Sequence, residues 1–392
     1  MQFSQPSAAR AINRLRILNL LASQENLSRA EAARLLKLNK VSTGEIVEAL
    51  IAEGLVEETG KMVTVNGRRP TALSLKKDAR AVLAVDLGTK ATSVALSDLG
   101  GNLLRFERFP TPHNPKPEEL CVQIIKTCLR ILKMMKDPAS AIGIAVSVPG
   151  SLDPSGSVVA SAPVWGWKDV PLAEAISKNT GLDVVLEHNV RAMVLGERWF
   201  AASQEPSGAD ASMLYVNWGE HISSAWVADG KVIGEGSQFG HIPLRQTGLC
   251  SCGSIGCLET VSAGWAISSM AARITGKEDI TVKQACQMLD QYPDLASLLL
   301  DAARGMADAL VYASAITGCG KIILGGGISS MPDQFFAQLL RRYEDAASVR
   351  LSAVSIERTR LGDKAGLLGT AAVALDQFVF KRTMLDQLSR QK

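Results

Sequence analysis

Apolar residues recur at helical spacing along the first fifty residues of the chain. Between residues 9 and 22 they stand three and four positions apart, which predicts an amphipathic helix. Ser28 and Glu31 have the spacing of a capping box, so a second helix is predicted to begin there. Asn39 is placed to cap a third helix, which Gly54 is placed to end.

The pattern after the third helix changes to short strand-like runs. Residues 55–59 and 62–65 form two such runs around Gly60, which predicts a β-hairpin. Three helices and a hairpin predict a winged helix-turn-helix domain over residues 1–75. The charged residues 76–80 are predicted to be a short linker.

From residue 81 onward, strand, helix and turn signals alternate to near the end of the chain. Residues 81–87 and 142–147 have the continuous apolar character of buried strands. This alternation predicts an α/β domain over residues 81–392, and after Gly362 the pattern predicts helix to the end.

Composition and charge narrow the classes of function. Apolar residues make up 47% of the chain, but no apolar run is long enough to span a bilayer. The polar first eleven residues do not resemble a signal peptide, so we expect a cytoplasmic protein with no membrane partner. Residues 1–80 hold thirteen Lys and Arg against eight Asp and Glu, while the remainder has a net charge of −2. This basic N-terminal segment indicates a polyanionic partner, and with the predicted fold it indicates double-stranded DNA.

The predicted third helix would enter the major groove by its N-terminal end. The predicted wing loop adds two adjacent arginines that suit a minor groove or nearby phosphates. The alternative is a small docking domain whose arginines are merely solvated. The residues that we expect to contact DNA are Lys40, Ser42, Thr43, Gly44, Arg68 and Arg69.

One imidazole and three thiols fall within seventeen residues in the second half of the chain. His241, Cys250, Cys252 and Cys257 match the ligand set of a tetrahedral zinc site. Four protein ligands leave no open position, so the Zn²⁺ is predicted to be structural. The alternative is a disulfide or scattered buried cysteines, but the expected reducing compartment argues against a disulfide.

The run Gly-His followed by Cys-x-Cys-Gly-x-x-Gly-Cys-Leu-Glu, over residues 240–259, resembles the signature of the ROK family (repressors, open reading frames, kinases). The resemblance extends from about Arg80 onward, and residues 66–70 are similar to the wing region of ROK repressors. It implies a two-lobed actin-like ATPase fold that is shared by sugar kinases and sugar-responsive repressors.

The same resemblance argues against an enzyme. Asn189 stands where the kinases have their catalytic aspartate, and an amide cannot accept the proton of a sugar hydroxyl. The glycine-rich phosphate loop of the kinases matches residues 219–225, where only Gly219 remains and Glu220 adds repulsive charge. His188 is the alternative base, but the degraded loops speak against phosphoryl transfer.

Resemblance also implies where an effector would bind. The family's sugar contacts match His188, Asn189, Gln238 and Glu259, while His241 would ligate zinc through one nitrogen and orient the sugar through the other. Asn189 and Gln238 stand where the family has an aspartate and a glutamate. The resemblance therefore implies a pocket with less negative charge than that of a glucokinase. One interpretation is a neutral sugar or sugar derivative as effector. The other is a domain that has lost sugar affinity and only dimerises or receives a protein signal.

We therefore expect a transcriptional regulator, in particular a repressor of sugar-utilisation genes. It would bind its operator as a homodimer or dimer of dimers, because two half-sites require two reading heads. An effector would change lobe closure and so the spacing of the heads. The alternatives are a sugar kinase with an accessory N-terminal domain and an architectural DNA-binding protein that responds to no ligand.

Overall fold

The computed structural model describes residues 6–61, 70–201, 212–228, 231–347 and 354–381. The chain forms two compact units. The first contains the residues up to Glu187 together with those from Thr370 onward, and the second runs from His188 to Gly369. Both are mixed α/β. The predicted linker at residues 76–80 contains a single turn of 3₁₀ helix, Lys77–Ala79. In the residues that the structure describes, no helix is both long and apolar enough to cross a membrane.

Three helices and a two-stranded sheet form the N-terminal part of the first unit. Their hydrophobic core includes Ile17, Leu18 and Leu50, which are all fully buried. The elements are α1 (Pro6–Ser23), α2 (Arg29–Leu36), α3 (Lys40–Ala52), β1 (Val56–Lys61) and β2 (Thr71–Leu75).

Both predicted helix starts are confirmed by hydrogen bonds at the caps. The Glu31 N–H donates to the Ser28 hydroxyl, and the Ser28 N–H donates to the Glu31 carboxylate, which completes the capping box. Asn39 caps α3, because its side-chain oxygen accepts from the N–H groups of Val41 and Ser42. These bonds satisfy donors that have no partner within the helix.

The predicted hairpin partner is corrected by the structure. The strand that pairs with β1 is β2, antiparallel, and Gly60 lies inside β1 next to an irregularity of register. Residues 62–65, predicted as the second strand, lie outside the described residues. The reason for the difference is burial: Ala72, Leu73 and Leu75 of β2 are buried against the helices, and Leu73 also bridges to Leu27.

Two further sheets belong to the first unit: a five-stranded sheet with the strand order β10-β6-β3-β4-β5 and a three-stranded antiparallel sheet with the order β7-β8-β9. β3 is parallel to β6 and antiparallel to β4, and β5 is an edge strand. The side chains of α4 and α5 join the sheet in one hydrophobic core. The elements are β3 (Ala81–Leu87), β4 (Ala91–Asp98), β5 (Leu103–Pro110), α4 (Pro117–Lys133), β6 (Ala141–Val148), β7 (Ser151–Leu152), β8 (Val159–Ala162), β9 (Trp167–Val170), α5 (Leu172–Thr180) and β10 (Val184–His188).

The second unit is built on a five-stranded sheet with the order β13-β12-β11-β14-β15. β14 is parallel to both of its neighbours, whereas β11, β12 and β13 form an antiparallel meander. Apolar residues of α8, α10 and α11 share one core with the sheet. The elements are α6 (Asn189–Gly196), β11 (Met213–Trp218), β12 (Ile222–Ala228), β13 (Lys231–Ser237), α7 (Glu259–Ser262), α8 (Gly264–Thr275), α9 (Val282–Gln287), α10 (Asp294–Thr317), β14 (Lys321–Gly325), α11 (Asp333–Ala346), β15 (Ser355–Arg358) and α12 (Ala365–Leu375).

The predicted C-terminal helix is interrupted at Lys381, and the rest of the prediction, residues 382–392, lies outside the described residues. After α12 the chain widens into a π-helical turn, Asp376–Phe380, which ends at Lys381 with a φ of 46°. The Phe380 side chain is fully buried, and its carbonyl accepts a hydrogen bond of 3.1 Å from the Asn19 side chain of α1. The last described turn of the chain is therefore packed against its first helix.

Candidate functional sites

The four predicted metal ligands come together in the second unit. The ligand atoms of His241, Cys250, Cys252 and Cys257 all lie within 4.8 Å of one another. The Cys250 Sγ is 3.6 Å from the His241 Nδ1, and the Cys252 Sγ is 3.7 Å from the Cys257 Sγ. A disulfide would bring two sulfurs to about 2 Å. The cluster is therefore one of free thiols and an imidazole, which can bind a metal ion.

A tight loop brings the ligands together. The N–H of Cys250 donates to the Ser254 carbonyl, and the N–H of Gly253 donates to the Cys250 carbonyl. Gly256 has a φ of +75°, and a Cβ there would lie 1.7 Å from the Arg245 carbonyl oxygen. Only glycine fits at this position, because any side chain would collide with backbone.

The cysteines of the cluster differ in environment. Hydrogen bonds from the backbone and side chain of Ser254 lower the pKa of Cys252, which is exposed. Burial raises the pKa of Cys257 to about 12. A metal would displace the Cys257 proton, so its binding would weaken as the pH falls.

Glu259, a predicted effector contact, is a buried carboxylate with three protein partners. Its Oε1 accepts from the Ile222 N–H at 2.8 Å, and its Oε2 accepts from the Trp265 indole N–H at 3.0 Å. The Nδ1 of His221 lies 3.3 Å from the same Oε2. Burial pushes the pKa of Glu259 upward, but the hydrogen bonds from His221, Ile222 and Trp265 hold the pKa below its ordinary value. Glu259 is thus a fixed anion.

His221 and Trp265 were missed by the sequence reasoning. They lie 38 and 6 residues from Glu259 along the chain. No motif pairs them with Glu259, although His221 stands in the degraded phosphate loop.

Gly240 lies next to the Glu259 carboxylate and directly before His241 of the metal cluster. A Cβ on Gly240 would lie 2.9 Å from the Glu259 Cγ, so only glycine lets the residue before His241 pass so close.

The other predicted effector residues lie on different elements. His188 ends β10, Asn189 begins α6, and Gln238 is exposed just before the 3₁₀ turn Phe239–His241. Helix α6 packs against β11 and β12 of the same unit. The convergence of these three side chains with Glu259 on one ligand remains a prediction.

His188 should make the stability of the protein depend on pH. Burial and then the charge of Arg191 lower the pKa of His188 from 6.5 to about 4. As the pH falls from about 6.5 to 4, the unfolded state takes up a proton that the folded state does not. Stability is therefore lost in that window, at up to about 1.4 kcal/mol per pH unit. His188→Gln should flatten this part of the profile in denaturant titrations at pH 4 to 7.5, and an unchanged slope would contradict the assignment.

The loop that matches the kinase phosphate loop is a closed turn in this chain. The Gly219 N–H donates to the His221 carbonyl, and the Trp265 N–H of α8 donates to the Glu220 carbonyl. The Glu220 Oε2 would be 3.0 Å from a Cβ on Gly264, the first residue of α8. A carboxylate therefore lies at a helix N-terminus, the kind of position that can bind a phosphate.

The glycines at the end of β14 have a packing role. A Cβ on Gly325 would lie 1.9 Å from the Tyr215 hydroxyl oxygen, and one on Gly326 would lie 2.4 Å from the Trp218 carbonyl. Gly325 and Gly326 are therefore required by the packing of the fold, whereas a Cβ on Gly327 would meet nothing within 4 Å.

The predicted DNA contacts at the start of α3 differ in their exposure to solvent. Lys40 and Ser42 are exposed, and Gly44 has open space where a Cβ would be. The expectation for Thr43 is corrected: it is fully buried, and its hydroxyl donates to the Asn39 carbonyl at 2.9 Å. Thr43 supports the first turn of the helix and does not reach outward. Arg68 and Arg69 lie outside the described residues.

Comparisons with known proteins agree with this architecture. The xylose repressor of Caldicellulosiruptor bescii is 25% identical over 389 residues, covering 94% of this chain and 96% of that protein. The glucokinase of Thermotoga maritima is 28% identical over 316 residues, covering 74% of this chain and 96% of that protein. The crystal structure of a ROK family transcriptional regulator, a homologue of the E. coli MLC protein, matches with a TM-score of 0.79 at 23% identity. It covers 96% of this chain and 99% of that one, and it shows a shared fold.

The family model described as the ROK family matches residues 82–377, which include the whole metal cluster, Asn189 and Glu259. Because the match covers most of the chain, this protein belongs to the ROK family.

Proposed function

We propose that this chain is a transcriptional regulator, a repressor that binds operator DNA through a winged helix-turn-helix formed by α1 to β2. The observation that carries the proposal is the exposed first turn of α3, where Lys40 and Ser42 stand beside an Asn39 cap. A helix presented by its N-terminal end is the geometry with which helix-turn-helix proteins read the major groove. The name of the xylose repressor, similar over nearly the whole chain, supports the same function.

The actin-like part of the ROK fold corresponds to the second unit together with the five-stranded sheet of the first. This part of the protein performs no phosphoryl transfer. The base position is Asn189, an amide that cannot take a proton from a sugar hydroxyl. The carboxylate of Glu220 at the start of α8 would repel a phosphate group. Both features speak against a kinase with an accessory domain, which a coupled ADP-release assay over a sugar panel would detect.

We assign Zn²⁺ to the His241 cluster as a structural ion. A tetrahedral zinc with Zn–S bonds of about 2.3 Å and a Zn–N bond of about 2.0 Å sets ligand-to-ligand separations near 3.5 to 3.8 Å. The observed separations of 3.6 Å for Cys250 to His241 and 3.7 Å for Cys252 to Cys257 fit such edges. Zinc would supply no chemistry beyond holding the loop. The Nδ1 of His241 faces the cluster, which leaves Nε2 on the far side of the ring.

The effector that this site favours is a neutral sugar or sugar derivative. Glu259 is an ionised carboxylate whose Oε1 can accept one further hydroxyl donor, because that oxygen has two lone pairs and one of them accepts the Ile222 N–H. An anionic ligand would meet the repulsion of Glu259. The three protein donors on Glu259 are also the specific observation in favour of the second candidate, a regulator that has lost sugar binding.

A dimer is the minimum assembly that this function requires, because a palindromic operator presents two half-sites to two heads. An effector releases the operator only if it binds one conformation better than the other.

Two measurements test the proposal. The first is salt-dependent binding of the purified protein to duplexes that flank its own coding region. The second is a thermal-shift screen with monosaccharides, where a ligand at 100-fold excess over its Kd stabilises the protein by about 2.7 kcal/mol. Any hit is then tested for operator release, with Glu259→Gln as the variant that should lose the shift. Absence of duplex binding would refute the regulator, whereas absence of any shift would leave only the ligand-independent form.

Lys40 should contribute a phosphate contact. Lys40→Ala removes one exposed positive charge at the start of α3, so affinity should fall for all duplexes alike. The slope of log K against log salt concentration should decrease by about 0.9, the value for one phosphate contact. Fluorescence anisotropy at 50 to 200 mM salt measures this slope. Lys133→Ala, which removes an exposed lysine on α4, is the matched control and should leave the slope as it is.

A further inference from the structure

Val41 is a large apolar side chain that is exposed to solvent on the head, the helix-turn-helix formed by α1 to β2. It is 70% exposed and lies in the first turn of α3, between Lys40 and Ser42. Its own N–H is held by the Asn39 side-chain oxygen at 2.8 Å, so the backbone that carries it is fixed by the cap. Val41 therefore presents an apolar surface from a rigid position.

The direction of Val41 follows from the buried side of the helix. Thr43, Ile46, Val47 and Leu50 are the buried residues of α3. At 3.6 residues per turn, Val41 points about 170° away from the centre of that buried face. It lies at the middle of the solvent face, at the end of the helix that would enter a groove first.

Charges on α3 indicate which part of a duplex this face meets. Glu45 and Glu48 are exposed and lie within about 40° of Val41 around the helix axis. Glu48 is paired with Arg29 at 2.6 Å. A strip that carries carboxylates would be repelled by phosphates, so it suits the base edges. The phosphates would instead meet the exposed Lys37 and Lys40.

A branched aliphatic side chain gains free energy in the major groove only against an apolar group. The 5-methyl group of thymine is the apolar group that base pairs present there. We propose, on the basis of the DNA-binding function above, that Val41 is a specificity-determining residue that contacts a thymine methyl group in each operator half-site.

The test uses an operator selected from random duplexes by the purified full-length chain. Each thymine is replaced in turn by deoxyuridine, which keeps the hydrogen-bonding groups and lacks only the methyl group. One position in each half-site should lose about four-fold in affinity, the equivalent of one buried methyl group. Val41→Ala should lose a similar factor on the thymine duplex and should no longer distinguish thymine from uracil at that position.

Controls separate this inference from the function on which it depends. Ile316→Ala removes an even more exposed apolar side chain, 82% exposed on α10 in the other unit, and should leave the thymine preference intact. Thermal unfolding should show that Val41→Ala remains folded, since the side chain lies outside the core. If Val41→Ala keeps the wild-type affinity and the same uracil profile, the assignment of Val41 is wrong while the regulator stands. If the wild-type chain selects no sequence, the proposed function itself fails.

Discussion

Replacement of Cys257 by serine should abolish binding of the proposed zinc ion and loosen the loop around it. Cys257 is fully buried and its sulfur is 3.7 Å from that of Cys252, so its loss would leave the proposed ion with three of the four ligands of the cluster. Loss of a ligand bound at 1,000-fold excess over its Kd costs about 4 kcal/mol of stability. Metal analysis should find about one zinc ion fewer per chain, and thermal denaturation should show an earlier transition.

Cys286→Ser is the matched control for that experiment. Cys286 lies half-buried on α9 and is not part of the cluster, so this variant should keep its zinc and most of its stability. A chelator should destabilise the wild type and the control but should have little further effect on Cys257→Ser. A Cys257→Ser protein with a full equivalent of zinc would contradict the assignment of the site.

Phe380→Ala should destabilise the first unit by about 3 to 5 kcal/mol, the usual cost of deleting a buried phenyl group. The side chain is fully buried at the end of the C-terminal turn, and the adjacent carbonyl accepts from Asn19 of α1. The substitution should therefore also make α1, the first helix of the head, less stable. Urea denaturation gives the free energy of unfolding, and amide exchange shows whether α1 becomes less protected.

Phe106→Ala serves as the control, because Phe106 is 55% exposed on the edge strand β5 of the same unit. Its removal should cost well under the value for Phe380, since little buried surface is lost. If both variants unfold at the same urea concentration, the C-terminal turn does not anchor the head.

The local elements were well predicted because their signals are themselves local. The capping box at Ser28 and the cap at Asn39 need only residues within three positions of each other. The cluster from His241 to Cys257 was predictable for the same reason, since a loop of seventeen residues brings its own ligands together. The change from aspartate to Asn189 is likewise visible in the chain itself, once the resemblance to the family supplies the alignment.

Predictions that depended on distant contacts were less accurate. The strand partner of β1 was placed at residues 62–65 instead of Thr71–Leu75, because alternation alone does not show which run will cover the core. Thr43 was expected to face DNA, yet it is fully buried on the face of α3 that also carries Ile46 and Val47.

The sequence by itself determined the resemblance to the family, the grouping of one imidazole with three thiols, the helix starts at Ser28 and Asn39, and the asparagine at the position of the kinase base. Only the tertiary structure decided which side chains surround Glu259, that Phe380 meets a helix some 361 residues away, and which face of α3 is left exposed. The physical reason is that caps, turns and periodicity are set by neighbours along the chain. The partners of a buried carboxylate or phenyl group are set by the packing of elements that are far apart in sequence.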